Sequence, residues 1–456
     1  MDSIFESGEE ELFEQITELV QSKKYAAVRN IFSEMNPADI AEILNDFPLN
    51  ELPVLFRLLP KELAAETFVE MDSDVQTHLI TGFSDSELRD VLDEIFLDDA
   101  VDIVEEMPAN VVKRILANTD ADTRAMINKI LQYPEDSAGS IMTVEYVSLR
   151  KQMTVEEALT RIRRTGTDKE TIYTCYVTDY NRNLLGVVST KALLLSEADD
   201  MIADIMETNI ISAHTHTDKE EVAQMFSKYD FFVIPVVDDE GRLVGIVTVD
   251  DAMDVMEEEA TEDIEKMAAI RPGDKPYTQT SVWETFKQRI PWLMLLMISA
   301  TFTSLIITKF ENALSTSIVL SACIPMLMDT GGNCGGQTSV TIIRSLSLGD
   351  VEFKNIFKIL WKEFRVGIIC GFSLAAVNFI KMLILGQGSI LIMLTVSIAL
   401  FCAVVISKII GSLLPMIAEK IGFDPAVMSS PFITTIVDAL TLLIYFGLAV
   451  LILRIG

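Results

Sequence analysis

The chain of 456 residues carries 68 acidic and 36 basic side chains, a formal charge of −32, and 50% of its residues are hydrophobic. So acidic a surface repels phosphate, which excludes nucleic acid as a partner. The charge is unevenly spread: residues 286–456 hold 12 basic and 8 acidic side chains, whereas residues 1–285 hold 24 and 60. An acidic water-soluble part therefore adjoins an apolar one, and the length suits about three domains.

The opening, Met1-Asp-Ser-Ile-Phe-Glu-Ser-Gly-Glu-Glu-Glu, has neither the basic start nor the apolar core of a signal peptide, which places the acidic part in the cytosol. The odd cysteine count agrees: Cys175, Cys323, Cys334, Cys370 and Cys402 lack metal-ligand spacing and read as reduced packing residues. From about Asn36 to Leu131 a unit of roughly a dozen residues recurs, as in Asn36-Pro-Ala-Asp-Ile-Ala-Glu-Ile-Leu, Pro60-Lys-Glu-Leu-Ala-Ala-Glu and Ser84-Asp-Ser-Glu-Leu-Arg-Asp-Val-Leu. Each unit opens on a capping residue or proline and closes on apolar residues at helical spacing. Units this short cannot bury a face alone, so an all-α superhelical domain is expected over residues 1–135.

A second repeat follows. Leu184-Leu-Gly-Val-Val-Ser-Thr matches Leu243-Val-Gly-Ile-Val-Thr-Val, with Ile141-Met-Thr and Ile205-Met-Glu aligned upstream and a β-rich run before each hairpin turn. These residues resemble a tandem pair of CBS domains, over 136–200 and 201–256, of α/β type. That resemblance implies an adenosine-nucleotide site, with ATP as the candidate ligand at Ser189, Phe231, Thr248 and Asp251. Its Ser/Thr-x-x-Asp signature is met by Thr248 and Asp251, while Ser189 is followed by Ala192. His214-Thr-His216 reads as two surface histidines, since no further zinc ligand is near.

An acidic helix is expected from Asp250 to Ile270, then a breaker at Arg271-Pro-Gly and an amphipathic segment Ser281-Val-Trp-Glu-Thr-Phe-Lys-Gln-Arg at the membrane surface; together they form a linking region over 257–289. Five apolar spans follow near 290–309, 313–342, 364–386, 389–417 and 425–453, making residues 290–456 a polytopic α-helical membrane domain with five transmembrane helices. Arg344, Lys354, Lys358, Lys362 and Arg365 cluster after the second span, so the positive-inside rule puts the N-terminal domains in the cytosol and the C-terminus outside.

Asp438 stands inside the last span, and Ser430, Thr434, Asp438, Thr441 and Tyr445 step by four, four, three and four along one helix face. A carboxylate at that depth is costly unless it meets water or a cation, so the stripe reads as a cation pathway. The plain alternative is an Asp hydrogen-bonded among neighbouring helices. The second span holds Met328-Asp-Thr-Gly-Gly-Asn-Cys-Gly-Gly-Gln337; Asn333, Gln337 and freed carbonyls are candidates to face a lumen, Asp329 is a second intramembrane acid, and helix packing is the alternative for the glycines.

Taken in order, the acidic short-helix domain, the CBS pair, the acidic helix and the spans resemble the MgtE family of magnesium channels. The most specific segments are Gly331-Gly-Asn-Cys-Gly-Gly-Gln, Asp424-Pro-Ala and Asp438. The resemblance implies a homodimer in the plasma membrane bilayer that passes Mg2+ and is not an enzyme. It implies a pore site at Asp438, Ser430, Thr434 and Asn333, although the family pattern carries other residues where Ser430 and Thr434 stand. It also implies internal Mg2+ sensor sites at Glu66, Asp98 and Asp102, at Asp218, Glu220 and Asp230, and at Asp251, Asp254, Glu259, Glu262 and Asp263. Transport of Co2+, Ni2+ or Mn2+ is the nearest rival reading, and a membrane-anchored adenylate sensor the more distant one.

Overall fold

Short helices fill the N-terminal stretch because each dozen-residue unit carries its own stop. The computed structural model describes residues 2–273, 277–278, 280–310, 318–428 and 430–454, with side chains from residue 11 onward and without that of Ser430. Two units result, Met1–Met256 and Glu257–Gly456.

In the first unit ten helices run from Asp2 to Ile130 with no strand between them among the described residues. Ser84 and Glu87 close a capping box on the helix Asp85–Leu92, and Asp120 caps Ala121–Ile130. Arg114 reaches back to the carbonyls of Ile80, Thr81 and Phe83, tying one helix to the end of another. The apolar pairs face inward, so that Ile40, Leu44, Leu55, Phe68, Leu79, Leu88, Val101 and Ile115 share one core. That core continues into Val222, Ile234, Val247 and Val255 of the second CBS repeat.

Each CBS repeat contributes a three-stranded sheet. β1 (Tyr146–Leu149) lies parallel to β2 (Thr171–Thr178), which pairs antiparallel with β3 (Leu184–Ser189). β4 (Ala213–His214), β5 (Val233–Val237) and β6 (Leu243–Thr248) repeat the pattern. The recurring glycine and methionine of the two copies meet crosswise. A Cβ on Gly186 would stand 2.8 Å from the Met206 sulfur, and one on Gly245 would stand 2.6 Å from the Met142 sulfur. Each copy thus inserts its methionine over the other's central hairpin, which makes the pair one packed body.

Helix Val249–Met267 leaves the second repeat. A capping box at Ser281 and Glu284 then starts Val282–Lys309, so the expected amphipathic segment runs without a break into the first apolar helix. Ile318–Ser347, Ile356–Ile384, Ile390–Lys420 and Ser430–Leu453 complete the second unit. Among the described residues four helical segments are long and apolar enough to cross a membrane: Val282–Lys309, Phe353–Ile384, Ile390–Lys420 and Pro425–Leu453. Four of the five expected spans are thus met among the described residues. The 30-residue helix Ile318–Ser347 has the length, but Asp329, Asn333, Gln337 and its glycines dilute its apolar character; residues 313–317 of that expected span lie outside the described residues.

The glycines of Ile318–Ser347 are spent on packing. Gly331 and Gly335 meet Ser407 and Val437, while a Cβ on Gly411 would stand only 2.3 Å from the Gly335 carbonyl oxygen. Two small-xxx-small faces, Gly331/Gly335 and Ser407/Gly411, therefore cross at backbone distance. The helix is continuous through its glycine run, so the freed carbonyls expected there do not form.

Candidate ion pathway and acidic cleft

Asp438 projects from Ser430–Leu453, a helix otherwise almost wholly apolar. Its side chain is half-buried, and among the described residues its Oδ1 is buried with no hydrogen-bond partner. Asp329 is the charge that acts on it, and repels it. The stripe traced through the sequence divides here. Thr434 packs its methyl over Gly332, whereas Thr441 and Tyr445 are 2% and 0% exposed. The Tyr445 hydroxyl donates to the Leu320 carbonyl at 2.8 Å. Those last two residues hold helices together and do not extend a pathway. The Ser430 side chain lies outside the described residues.

A longer polar stripe sits on the neighbouring helix. Asp329, Asn333, Gln337, Thr341 and Arg344 are all exposed, at steps of four, four, four and three, while Gly331, Gly332, Gly335 and Gly336 on the other side are buried. Sequence reasoning had Asn333, Gln337 and Asp329 singly; what it missed was that the glycines take the packed face and so turn these side chains outward together. The entry to the last helix is irregular, as its prolines suggest. Asp424 accepts from Ala426 N at 2.7 Å ahead of the 3-10 turn Pro425–Met428, whose final carbonyl accepts from the Ser339 hydroxyl at 3.2 Å.

The first unit holds a cleft of carboxylates. Asp98, 6% exposed, is driven well above the ordinary range by burial and then by the Asp251 and Asp99 charges. Burial, with Asp251 and Asp250, pushes Asp99 up to about 7. Asp102, at the cleft's open edge, is pushed to about 8 by loss of surrounding water and by Asp251 and Asp99. Glu170 rises to about 8 through burial and the charges of Asp99, Asp250 and Asp251. Asp251 itself reaches about 6; burial raises it, and hydrogen bonds from Thr248 restrain it, the hydroxyl one at 2.6 Å.

Of the acids expected from the sequence, Asp98, Asp102 and Asp251 therefore come together. Asp99, Asp250 and Glu170 join them unforeseen, because no local pattern separates them from the many other acids nearby. Glu66 is exposed, and it is Glu70, one turn on, whose charge acts on Asp99. Asp218 caps the helix Lys219–Tyr229 by accepting from Glu220 N at 2.9 Å, and Asp230 closes it in the left-handed conformation at φ 53°. Among the described residues no three His, Cys, Asp or Glu side chains are gathered as a ready-made metal cage.

Asp254, exposed, and Glu259, half-buried, lie on the helix Val249–Met267. Farther along, Lys266 bridges Glu262 and Asp424, each at 2.7 Å. Against the effect of burial, those hydrogen bonds push its ammonium to about 12. Asp263 accepts from the Ser347 hydroxyl at 3.0 Å, and burial raises it. In the CBS pair, Ser189 caps its own helix through Ala192 N at 3.1 Å, and Phe231 stacks on Tyr229 with ring centroids 5.6 Å apart. All five cysteines are free.

Comparison with known proteins agrees along the whole chain. Residues 35–136 match the MgtE intracellular N domain, 138–198 and 202–258 match CBS domains, and 324–448 match MgtE, a divalent cation transporter. The chain is 36% identical to the magnesium transporter MgtE of Thermus thermophilus over 450 residues, 98% of this chain and 99% of that one. It is 33% identical to that of Bacillus subtilis over 444 residues, 96% of this chain and 97% of that one. A crystal structure of the cytosolic domain of the Mg2+ channel MgtE in complex with ATP is 39% identical, with a TM-score of 0.51, covering 53% of this chain and 99% of that one. The chain belongs to the MgtE family of divalent cation transporters.

Proposed function

We propose that this protein is a magnesium-selective channel for uptake across the plasma membrane, a homodimer whose two copies share one pore. The observation that carries this is the uncovered polar stripe Asp329–Asn333–Gln337 in a bundle of apolar helices, together with the unpartnered oxygen of Asp438. Such a face is unstable against hydrocarbon and suits water or a second copy. Mg2+ sheds its waters reluctantly, so a pair of Asp438 carboxylates accepts hydrogen bonds from the hydrated ion, with Asn333, Thr434 and Ser430 lining the approach. The relatives named above are magnesium transporters, which favours Mg2+ over Co2+, Ni2+ or Mn2+.

Internal Mg2+ closes the channel. Like charges about 4 Å apart repel by ~4 kcal/mol at an effective dielectric near 20, and the cleft of Asp98, Asp99, Asp102, Glu170 and Asp251 concentrates that repulsion. A hydrated Mg2+ relieves it and favours the compact closed form; its loss lets the acids separate. Asp254, Glu259, Glu262 and Asp263 on the linking helix, with Glu66, Asp218, Glu220 and Asp230, supply further weak sites. ATP binds between the CBS repeats at Ser189, Phe231, Thr248 and Asp251. The test is Mg2+ uptake by proteoliposomes carrying Asp438→Ala: uptake is abolished while chemical cross-linking still gives the dimer. Near-normal uptake refutes the pore site, and equal uptake of Co2+ by the wild type refutes the selectivity.

A further inference from the structure

Lys408 is the one charged residue of Ile390–Lys420 before its last turn, and it is 6% exposed. An ammonium buried in a membrane helix is costly and marks a task. Its Nζ donates to the Thr338 hydroxyl at 3.2 Å. Having accepted that bond, the same hydroxyl has one proton to give, and Glu363 Oε2 at 3.2 Å or its own helix's Cys334 carbonyl at 3.3 Å receives it. Among the described residues the Lys408 ammonium reaches a carboxylate only through Thr338. Three helices, Ile318–Ser347, Ile356–Ile384 and Ile390–Lys420, are thus joined at one buried hydroxyl.

The placement of Thr338 gives the bridge its meaning. At 100° per residue it lies roughly 140° around the helix from Asn333. The bridge therefore grips the helix from behind its polar face. The glycine crossing at Gly335 and Gly411 has no side chain to resist rotation, so a polar tie beside it is what fixes the angle.

We infer that Lys408, Thr338 and Glu363 are positioning residues of the ion pathway, which set the rotation of Ile318–Ser347 and so aim Asp329, Asn333 and Gln337 into the lumen. This rests on the pore reading above. A hydroxyl in the middle makes the role separable from bulk packing: Thr338→Val keeps the volume and breaks the bridge, whereas Thr338→Ser keeps the bridge and loses a methyl.

Single-channel Mg2+ currents from the full chain test it, recorded with internal Mg2+ low enough to hold channels open. Thr338→Val and Lys408→Met are expected to lower unitary conductance about tenfold while the internal Mg2+ needed for closure stays within twofold of wild type. Thr338→Ser is expected to keep at least half the conductance. The pair Lys408→Met with Glu363→Gln, which leaves no unmatched charge but still lacks the ammonium end of the bridge, is expected to keep the low conductance of Lys408→Met; recovery there overturns the inference, since unmatched charge and not the bridge would then matter. Wild-type conductance in Thr338→Val overturns the inference, as does an equal loss in Thr338→Ser, since volume and not the hydroxyl would then matter. Should Lys408→Met fail to fold, the two Thr338 variants decide alone. Failure of the pore reading is told apart by Asp438→Ala: normal flux there sinks the pore, whereas a silent Asp438→Ala beside normal bridge variants sinks only the bridge.

Discussion

Neutralising one acid of the cleft should stabilise the Mg2+-free protein, and Asp99→Asn is the cleanest case. Asp99 moves from an ordinary 3.8 to about 7, chiefly through burial and then the Asp251 and Asp250 charges. A shift of that size corresponds to ~4 kcal/mol of penalty on the ionised form. Water still reaches one side of this half-buried group, so about half, ~2 kcal/mol, is the expected gain. The sign follows from proton binding. A carboxyl whose folded pKa is raised holds its proton more tightly in the folded state, so its contribution is present in full below about 4 and is lost as pH rises through about 7. Without Mg2+ the wild type should therefore be less stable at pH 8 than at pH 6, and Asp99→Asn should flatten that slope.

Thermal unfolding of the full chain in detergent, in chelator, at pH 5, 6 and 8 measures this. The variant should melt a few degrees above wild type at pH 8 and above it by clearly less at pH 5. Added Mg2+ should then raise the wild-type melting temperature more than the variant's, because the ion has less repulsion left to relieve. A variant no more stable than wild type at pH 8 in chelator refutes the reasoning, and so does a wild type whose Mg2+-free stability climbs from pH 6 to pH 8.

Two further outcomes rest on geometry. Lys266→Met removes the ammonium that joins Glu262 to Asp424, a charge-assisted tie worth about 1.5–3 kcal/mol; the internal Mg2+ for half-closure in patch recordings should rise roughly tenfold or more, and an unchanged value counts against the tie. Gly411→Ala places a methyl 2.3 Å from the Gly335 carbonyl oxygen, an overpacking cost of about 1–3 kcal/mol. The purified variant should melt at lower temperature, whereas Gly447→Ala, which meets nothing within 4 Å, should not.

The architecture was legible because its signals are local. Caps such as Ser84 with Glu87 and the repeated Leu-x-Gly-x-Val hairpins sit within a few residues of what they specify. The candidate site was legible only where one residue is out of character for its surroundings, as Asp438 is. It was not legible where residues owe their role to a partner far along the chain. Thr441 and Tyr445 continue the spacing of Asp438, yet the carbonyl of Leu320 claims Tyr445 for packing. Asp99 looks like any acid of a helix start until burial and Asp251 single it out. Lys408 lies as deep in an apolar run as Asp438, but its meaning depends on Thr338, 70 positions earlier.

The helix Val249–Met267 shows how charge at one end can bear on the other. Its first turn carries Asp250 and Asp251, members of the acidic cleft. Its last two turns carry Glu262, Asp263 and Lys266, bonded to Asp424 and Ser347. Twelve residues separate Asp251 from Asp263, about 18 Å of continuous helix at 1.5 Å per residue. No proline interrupts it, and kinks need such a cause. Under the gating proposed above, a shift of Asp251 would be passed along this helix to the bonds of Lys266 and Asp263. Those bonds join a cation and a half-buried acid to Asp424 and Ser347, at the start of the turn that leads into the Asp438 helix and at the end of the glycine-rich helix. The elements that bear the polar stripe and Asp438 are thus the ones the last turns of the linking helix hold.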